Sequence, residues 1–289
     1  EEACLRFLAD KGWGGADVPL DADAILAREK EKTWETIGEM RVDMEVFDVL
    51  SYADAFHNLK AAVKEVCTGK SGGSVFYEGT AIPKEEMMRI IQEKDFAALP
   101  ESMREAAAEA VDTLLHSGDG QLCDVIIDRA ALEAMLEAGR RSKEEVVRDY
   151  AQSTVAVTNI KIAVRCARTG KSLEFMKRAM APCPGLDVDR LAHAALAGES
   201  SVMDYLREEG YEEAADALKE SASAFERWCD NRVIRAVQPQ KYNAFSAGPL
   251  VAYVIARENE IKTVRIILTG KQNGLPDDAI RERIREMYV

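Results

Sequence analysis

Apolar residues recur along this chain with the helical period of three to four positions, and almost nowhere with the strand period of two. Leu122, Val125, Ile126, Leu132, Met135 and Leu136 predict a helix over residues 121–139 that stops at Gly139. The run ESMREAAAEAVDTLLHS predicts another over 101–117, with Pro100 at its start and acids in its first turn. Ser142, followed by Glu144 and Glu145, opens a third. Further helices are expected over 202–208 and 212–235, broken at Gly210, and over 250–269. Residues 74–77 are the one extended candidate, and the flanking Gly72, Gly73 and Gly79 favour a loop there. The fold class read from this pattern is all-α.

One sixteen-residue pattern returns three times, at 55–70, 156–171 and 256–271, offset by 101 and 100 residues. Seven columns agree without a gap: Ala55/Ala156/Ala256, Asn58/Asn159/Asn259, Val63/Val164/Val264, Lys64/Arg165/Arg265, Thr68/Thr169/Thr269, Gly69/Gly170/Gly270 and Lys70/Lys171/Lys271. The interval is far longer than a solenoid repeat, so it predicts three domain-sized copies of one unit and a threefold pseudo-symmetric body. The expected units are 1–83, 84–184 and 185–289. Only 57 residues precede Asn58, so the N-terminal part of the first unit is expected to be missing.

The repeat extends beyond this core. LRFLADKGW (5–13) matches MDYLREEGY (203–211) at Leu8/Leu206 and Gly12/Gly210. Pro83 and Pro184 each lie thirteen residues past the motif lysine, before a short helical pattern, and Pro276 does the same five residues past Lys271, before a closing helix over 276–287.

Thr-Gly-Lys arrives where each apolar pattern ends, so each copy reads as a helix stop, with glycine in the left-handed conformation and lysine near the exposed carbonyls. Gly69-Lys70-Ser71 and Gly170-Lys171-Ser172 imitate the end of a phosphate-binding loop. Lys64 and Arg165 stand where that loop needs its first glycine, and a phosphate loop starts a helix rather than ending one.

Charge and candidate chemistry narrow the function. A formal net charge of -13 argues against a phosphate-neutralising surface, and hence against nucleic acid as a partner. No apolar run approaches the roughly 20 residues that span a bilayer. Six scattered cysteines without a CxxC pair read as reduced thiols. His57, His116 and His193 stand alone, and no metal, cofactor or catalytic residue is assigned. Glu258, Lys262, Arg265 and Thr269 share one helical face, with Glu258 and Lys262 ordered for an ion pair. Glu258, Lys262 and Arg265 are the candidate partner-binding residues. The basic column is expected to meet a carboxylate such as Glu145 or Glu260.

Residues 243–289 resemble the C subunit of V/A-type rotary ATPases, the counterpart of the eukaryotic vacuolar d subunit. The match is carried by Pro249-Leu250, Tyr253, Glu258-Asn259-Glu260, Arg265, Gly270-Lys271, Gly274-Leu275-Pro276 and the stretch from Arg283 to the final Met-Tyr-Val. At Ala247-Gly248-Pro249 this chain departs from relatives, which more often carry an acid beside the proline. The resemblance implies three similar helical subdomains with pseudo-threefold symmetry in a funnel-like body. It implies a non-catalytic, peripheral part on the cytoplasmic side of the membrane, between the central-stalk subunits and the membrane proteolipid ring, that couples ATP-driven ion transport or ion-driven ATP synthesis. A helical adaptor for unrelated partners is the alternative, and a metal-dependent enzyme built on the acidic faces is a third reading.

Overall fold

The computed structural model describes residues 2–69 and 76–288. Among them the all-helical expectation holds: there is no strand, only an isolated bridge between Cys183 and Leu186. The helices are α1 (Glu2–Asp10), α2 (Ala22–Glu39), α3 (Asp48–Thr68), α4 (Lys84–Glu93), α5 (Glu101–Ser117), α6 (Gly120–Arg141), α7 (Glu145–Thr169), α8 (Leu173–Ala179), α9 (Val188–Ala197), α10 (Glu199–Glu208), α11 (Glu212–Glu220), α12 (Ala222–Val237), α13 (Gly248–Gln272) and α14 (Asp277–Arg281). Lys70 and residues 71–75, which include part of the expected loop, lie outside the described residues.

Side-chain caps start many of these helices. Asp21, Asp119 and Asp187 accept from the first-turn amides of α2, α6 and α9, and Ser172 and Ser221 do so for α8 and α12. Ser172 thus has a structural job in the Gly-Lys-Ser sequence: Gly170 closes α7 at φ 63° and Ser172 opens α8 two residues on. Gly12 and Gly210 both take positive φ, 85° and 80°, so the two matching glycines after α1 and α10 end their helices alike.

The chain divides into two compact units. In the unit of Phe47–Lys143 and Ala151–Glu209, a continuous core joins Phe56, Leu59 and Val63 of α3 to Met87, Ile90 and Ile91 of α4. Met103, Ala107, Ala110 and Val111 of α5 and Ile126 and Ile127 of α6 complete it. Alanines line the buried face of α5, and such short side chains let neighbouring helices approach closely. Full burial of a side chain such as Phe56 or Leu59 contributes roughly 1.5–3 kcal/mol.

The other unit comprises Glu1–Val46, Glu144–Tyr150 and Gly210–Val289. Here α2 packs on α13, and Leu5, Ile25, Leu26 and Leu268 form a core flanked by Leu8, Trp13, Val18 and Ile261. Helix α12 packs on both α11 and α13.

Several expected boundaries move. Gly139 is buried inside α6 rather than ending it, and the helix runs on to Arg141, whose neighbour Ser142 caps the end through its amide to the Ala138 carbonyl. The helix expected over 212–235 is two, because Ser221 breaks it at φ -169° and caps the second. Thr-Gly-Lys ends α3 and α7 but not α13, which continues through Gly270 to Gln272 and closes at Gly274, φ 66°. Glycine is needed at 270 for space: a Cβ there would lie 2.7 Å from Ile280 Cγ1. The closing helix is only the five residues of α14, and the chain beyond it leaves the helical path because its backbone is held by asparagines of other helices.

Candidate partner-contact region

The asparagine column has one task in all three copies. Each of Asn58, Asn159 and Asn259 is buried on a long helix and bonds the backbone of a non-helical segment further along the chain. Asn58 donates to the Tyr77 carbonyl (2.9 Å) and accepts from the Tyr77 amide (2.8 Å). Asn159 does the same to Ala181, at 2.7 and 3.0 Å. Around Asn259 the work is divided: it donates to the Glu286 carbonyl (2.8 Å), while Asn231 of α12 accepts from the Glu286 amide (2.9 Å). A primary amide suits this task because it carries a donor and an acceptor side by side, matching one residue's C=O and N–H.

Charged groups reinforce the third clamp. Asp230 bonds Lys262 and Arg285, each at 2.7 Å. Burial alone would raise the Asp230 pKa, but these two cations hold it below the ordinary Asp value. Arg235 pairs with the Glu286 carboxylate and with Glu213, and Arg227 donates to the Glu282 carbonyl. The segment after α14 is therefore tied to both α12 and α13.

A second buried carboxylate organises the start of the same unit. Glu29, 5% exposed, accepts from the Gly14 amide (2.9 Å), from Lys32 (2.7 Å) and from Arg257 (2.6 Å). Burial opposes its ionisation, and Lys32, Gly14 and Arg257 overcome that penalty to lower its pKa. Arg257 also lies over the Trp13 ring and pairs with Glu260.

All three candidate partner residues sit on α13. Lys262 and Arg265 are each half exposed, at 51% and 53%, and each already holds a carboxylate of a neighbouring helix, Asp230 for Lys262 and Asp23 of α2 for Arg265. Lys262 therefore turns to Asp230. The basic column meets Asp124 at Lys64 and Asp23 at Arg265, not Glu145 or Glu260; Glu145 faces Arg148 and Glu260 faces Arg257. Arg165 is exposed on α7. An open cleft of about 380 Å³ beside α9 and α10 is lined by Arg190, His193 and Tyr205, and Arg190 is bonded there to Glu208 and Glu209. No helix among the described residues is long and apolar enough to cross a membrane.

Glu29, Asp230 and Asn231 escaped sequence reasoning. Glu29 lies in a run of alternating acids and bases, AREKEK, that reads as a solvated helix face, and Asn231 has no counterpart in the other copies. The repeated Asn58/Asn159/Asn259 column and the face of Glu258, Lys262 and Arg265 are the sequence signals that point into this region.

A family model of the ATP synthase (C/AC39) subunit matches residues 1–283. The chain is 23% identical over 272 residues to the C subunit of the V-type sodium ATPase of Enterococcus hirae, covering 93% of this chain and 83% of that protein. It is 26% identical over 168 residues to the C subunit of the A-type ATP synthase of Haloferax volcanii, covering 55% of this chain and 47% of the relative. A similar protein from Haloquadratum walsbyi is 25% identical over 142 residues, 47% of this chain and 41% of the relative. The match along nearly the whole chain leads to one conclusion: this chain belongs to the ATP synthase (C/AC39) subunit family, the C subunits of V/A-type ATPases.

Proposed function

We propose that the chain is a non-catalytic central-rotor subunit that couples the central stalk of a V/A-type ATPase to the membrane proteolipid ring, for ATP-driven ion transport or ion-driven ATP synthesis. The observation that carries this reading is the family match over residues 1–283, together with a relative named as the C subunit of a V-type sodium ATPase that aligns along 93% of the chain. On this reading the protein is peripheral, on the cytoplasmic side. It is built from three units, 1–83, 84–184 and 185–289, arranged with pseudo-threefold symmetry in a funnel-like body.

The asparagine clamps support the threefold reading, because an asparagine at each of positions 58, 159 and 259 donates to the backbone carbonyl of a later non-helical segment, although at the third the amide is taken by Asn231. A part that transmits torque must resist shear between its helices, and directional polar ties add to the resistance of the close-packed side chains. The α13 face that bears Glu258, Lys262 and Arg265 is a partner-contact surface on this reading.

Size-exclusion chromatography with light scattering tests it, using the chain mixed with the purified central-stalk subcomplex from the same organism. A co-eluting one-to-one complex supports the rotor role. A folded chain that elutes alone favours a helical adaptor for other partners.

A further inference from the structure

Helix α6 packs on α3, and helix α2 packs on α13. The basic column of the repeat marks both pairings: Lys64 of α3 bonds Asp124 of α6 at 2.7 Å, and Arg265 of α13 bonds Asp23 of α2 at 2.5 Å. Asp23 and Asp124 lie 101 residues apart, the interval between the first two copies of the pattern, so they too are equivalent positions. A second contact has the same sense in each pair. Lys60, one turn before Lys64, meets Asp128, one turn after Asp124; Arg257, about two turns before Arg265, meets Glu29, beyond Asp23. Each pair is therefore antiparallel, with cations on the long repeat helix and acids on its partner.

The order of the units gives this likeness its meaning. Helix α6 lies in the second expected unit, 84–184, and serves α3 of the first. Helix α2 lies in the first, 1–83, and serves α13 of the last, where Glu29 and Arg257 are 228 residues apart along the chain. The same hand-over thus runs from the second unit to the first and from the first to the third, and the last of these rests on side chains alone.

Exposed pairs such as Arg265 with Asp23 mark the register of this junction and add little energy. The hold is buried. Leu5, Ile25 and Leu26 pack with Leu268, and Arg257 reaches from α13 to the buried Glu29 carboxylate at 2.6 Å and lies 5.4 Å from the Trp13 ring. Glu29 and Lys32 in turn tie the loop after α1 to α2, through the Gly14 amide and the Gly12 carbonyl. Residues 2–39 therefore form one piece, and Arg257 fastens that piece to α13. Desolvation offsets most of the attraction in a buried ion pair, so its main effect is a fixed register.

Resting on the proposed function, we propose that residues 2–39 are a strap that closes the body by docking α2 on α13, that Arg257 locks the strap in register, and that coupling requires it closed. Its core with α13 is small and no peptide link adjoins the two helices, so the strap opens without global unfolding. A body under torque yields first at the junction that opens most easily. Arg257 acts through Glu29 and is a positioning residue.

The test compares wild type with Arg257→Met, Arg257→Lys and Phe56→Leu, the last a loss of packing in the core of the other unit. Native-state hydrogen exchange read by mass spectrometry follows opening, and ion uptake per ATP by the complex reconstituted in vesicles follows coupling. Arg257→Met is expected to speed exchange over residues 2–39 about tenfold or more while α3 and α6 keep wild-type protection, and to lose about half or more of the uptake per ATP. Arg257→Lys keeps the charge and should recover part of both; it carries the same comparisons if Arg257→Met does not fold. Phe56→Leu should lower stability yet couple like wild type. Wild-type coupling by Arg257→Met with faster exchange of the strap overturns the inference. Faster exchange spread evenly over the chain, or no change in exchange, overturns the strap as a separate element. Equal loss of uptake in Phe56→Leu and Arg257→Met traces the loss to stability and overturns the lock. Uptake per ATP that wild type does not alter when added overturns the proposed function, and the exchange pattern alone then decides whether the strap exists.

Discussion

Asn231 and Asn259, on two different helices, hold opposite sides of one residue: Asn231 Oδ1 accepts from the Glu286 amide and Asn259 Nδ2 donates to the Glu286 carbonyl. In the other two copies of the pattern a single asparagine makes both bonds. The segment after α14 therefore joins α12 to α13, and sliding one helix along the other must break a bond to Glu286.

Because the two asparagines share a residue, their contributions are expected to be coupled. Asn231→Ala and Asn259→Ala should each destabilise by about 1–3 kcal/mol, the cost of leaving a buried backbone group unsatisfied. The double variant should fall short of the sum by about 0.5 kcal/mol or more, because release of the segment lets water reach both groups. Urea unfolding of the four proteins checks this, and strict additivity contradicts a shared clamp. Asn159→Ala should be at least as costly as either, since it orphans both the amide and the carbonyl of buried Ala181.

The repeated glycines separate by mechanism. Gly170 has φ 63° and open space where a Cβ would stand, so Gly170→Ala is expected to cost about 1 kcal/mol through backbone strain, and Gly170→Asn less. Gly270 is helical and faces Ile280, so Gly270→Ala is expected to destabilise by crowding, and to cost less when made in the Ile280→Ala background than in wild type. Thermal melts of the single and paired variants distinguish the two. A cost of Gly170→Ala that changes in the Ile280→Ala background, or a cost of Gly270→Ala that does not, contradicts the assignment.

Asp230 sets an acid limit on the clamp. Its folded pKa lies below the ordinary 3.8, so it stabilises the fold above that value, and the contribution disappears as pH falls through the folded pKa. Asp230→Asn is expected to cost about 1–3 kcal/mol at pH 7. The gap between wild type and variant should stay level down to about pH 5 and close below about pH 4. Glu286 and Glu29, also lowered, act in the same direction. Denaturant unfolding of both proteins from pH 7 to pH 3 provides the measurement. A gap that widens on acidification contradicts the ion-pair role.

Much of the architecture was legible because it is written locally. Apolar spacing marked α5, α6 and α13, and the matching glycines at 12 and 210 marked two helix ends that the structure repeats in detail. The asparagine column stood out as a repeat, yet its purpose depends on backbone 19, 22 and 27 residues away, at Tyr77, Ala181 and Glu286. No pattern within one helix encodes that distance. Gly270 shows the converse: the same Thr-Gly-Lys letters end two helices and continue a third, because Ile280 of another helix decides what glycine is for. Glu29 reads as surface charge until Gly14 and Arg257 are folded against it. In the candidate region, the sequence located α13 but not the carboxylates at Asp23 and Asp230 that occupy its cations.

The proposed coupling role is tested most directly in the ATPase complex of the same organism, reconstituted in vesicles with and without this chain, by measuring ATP hydrolysis and ATP-driven ion uptake together. Without the chain, hydrolysis by the catalytic head is expected to continue while ion uptake is lost, and adding the chain back should restore uptake. Ion uptake per ATP that is unchanged without the chain contradicts the account.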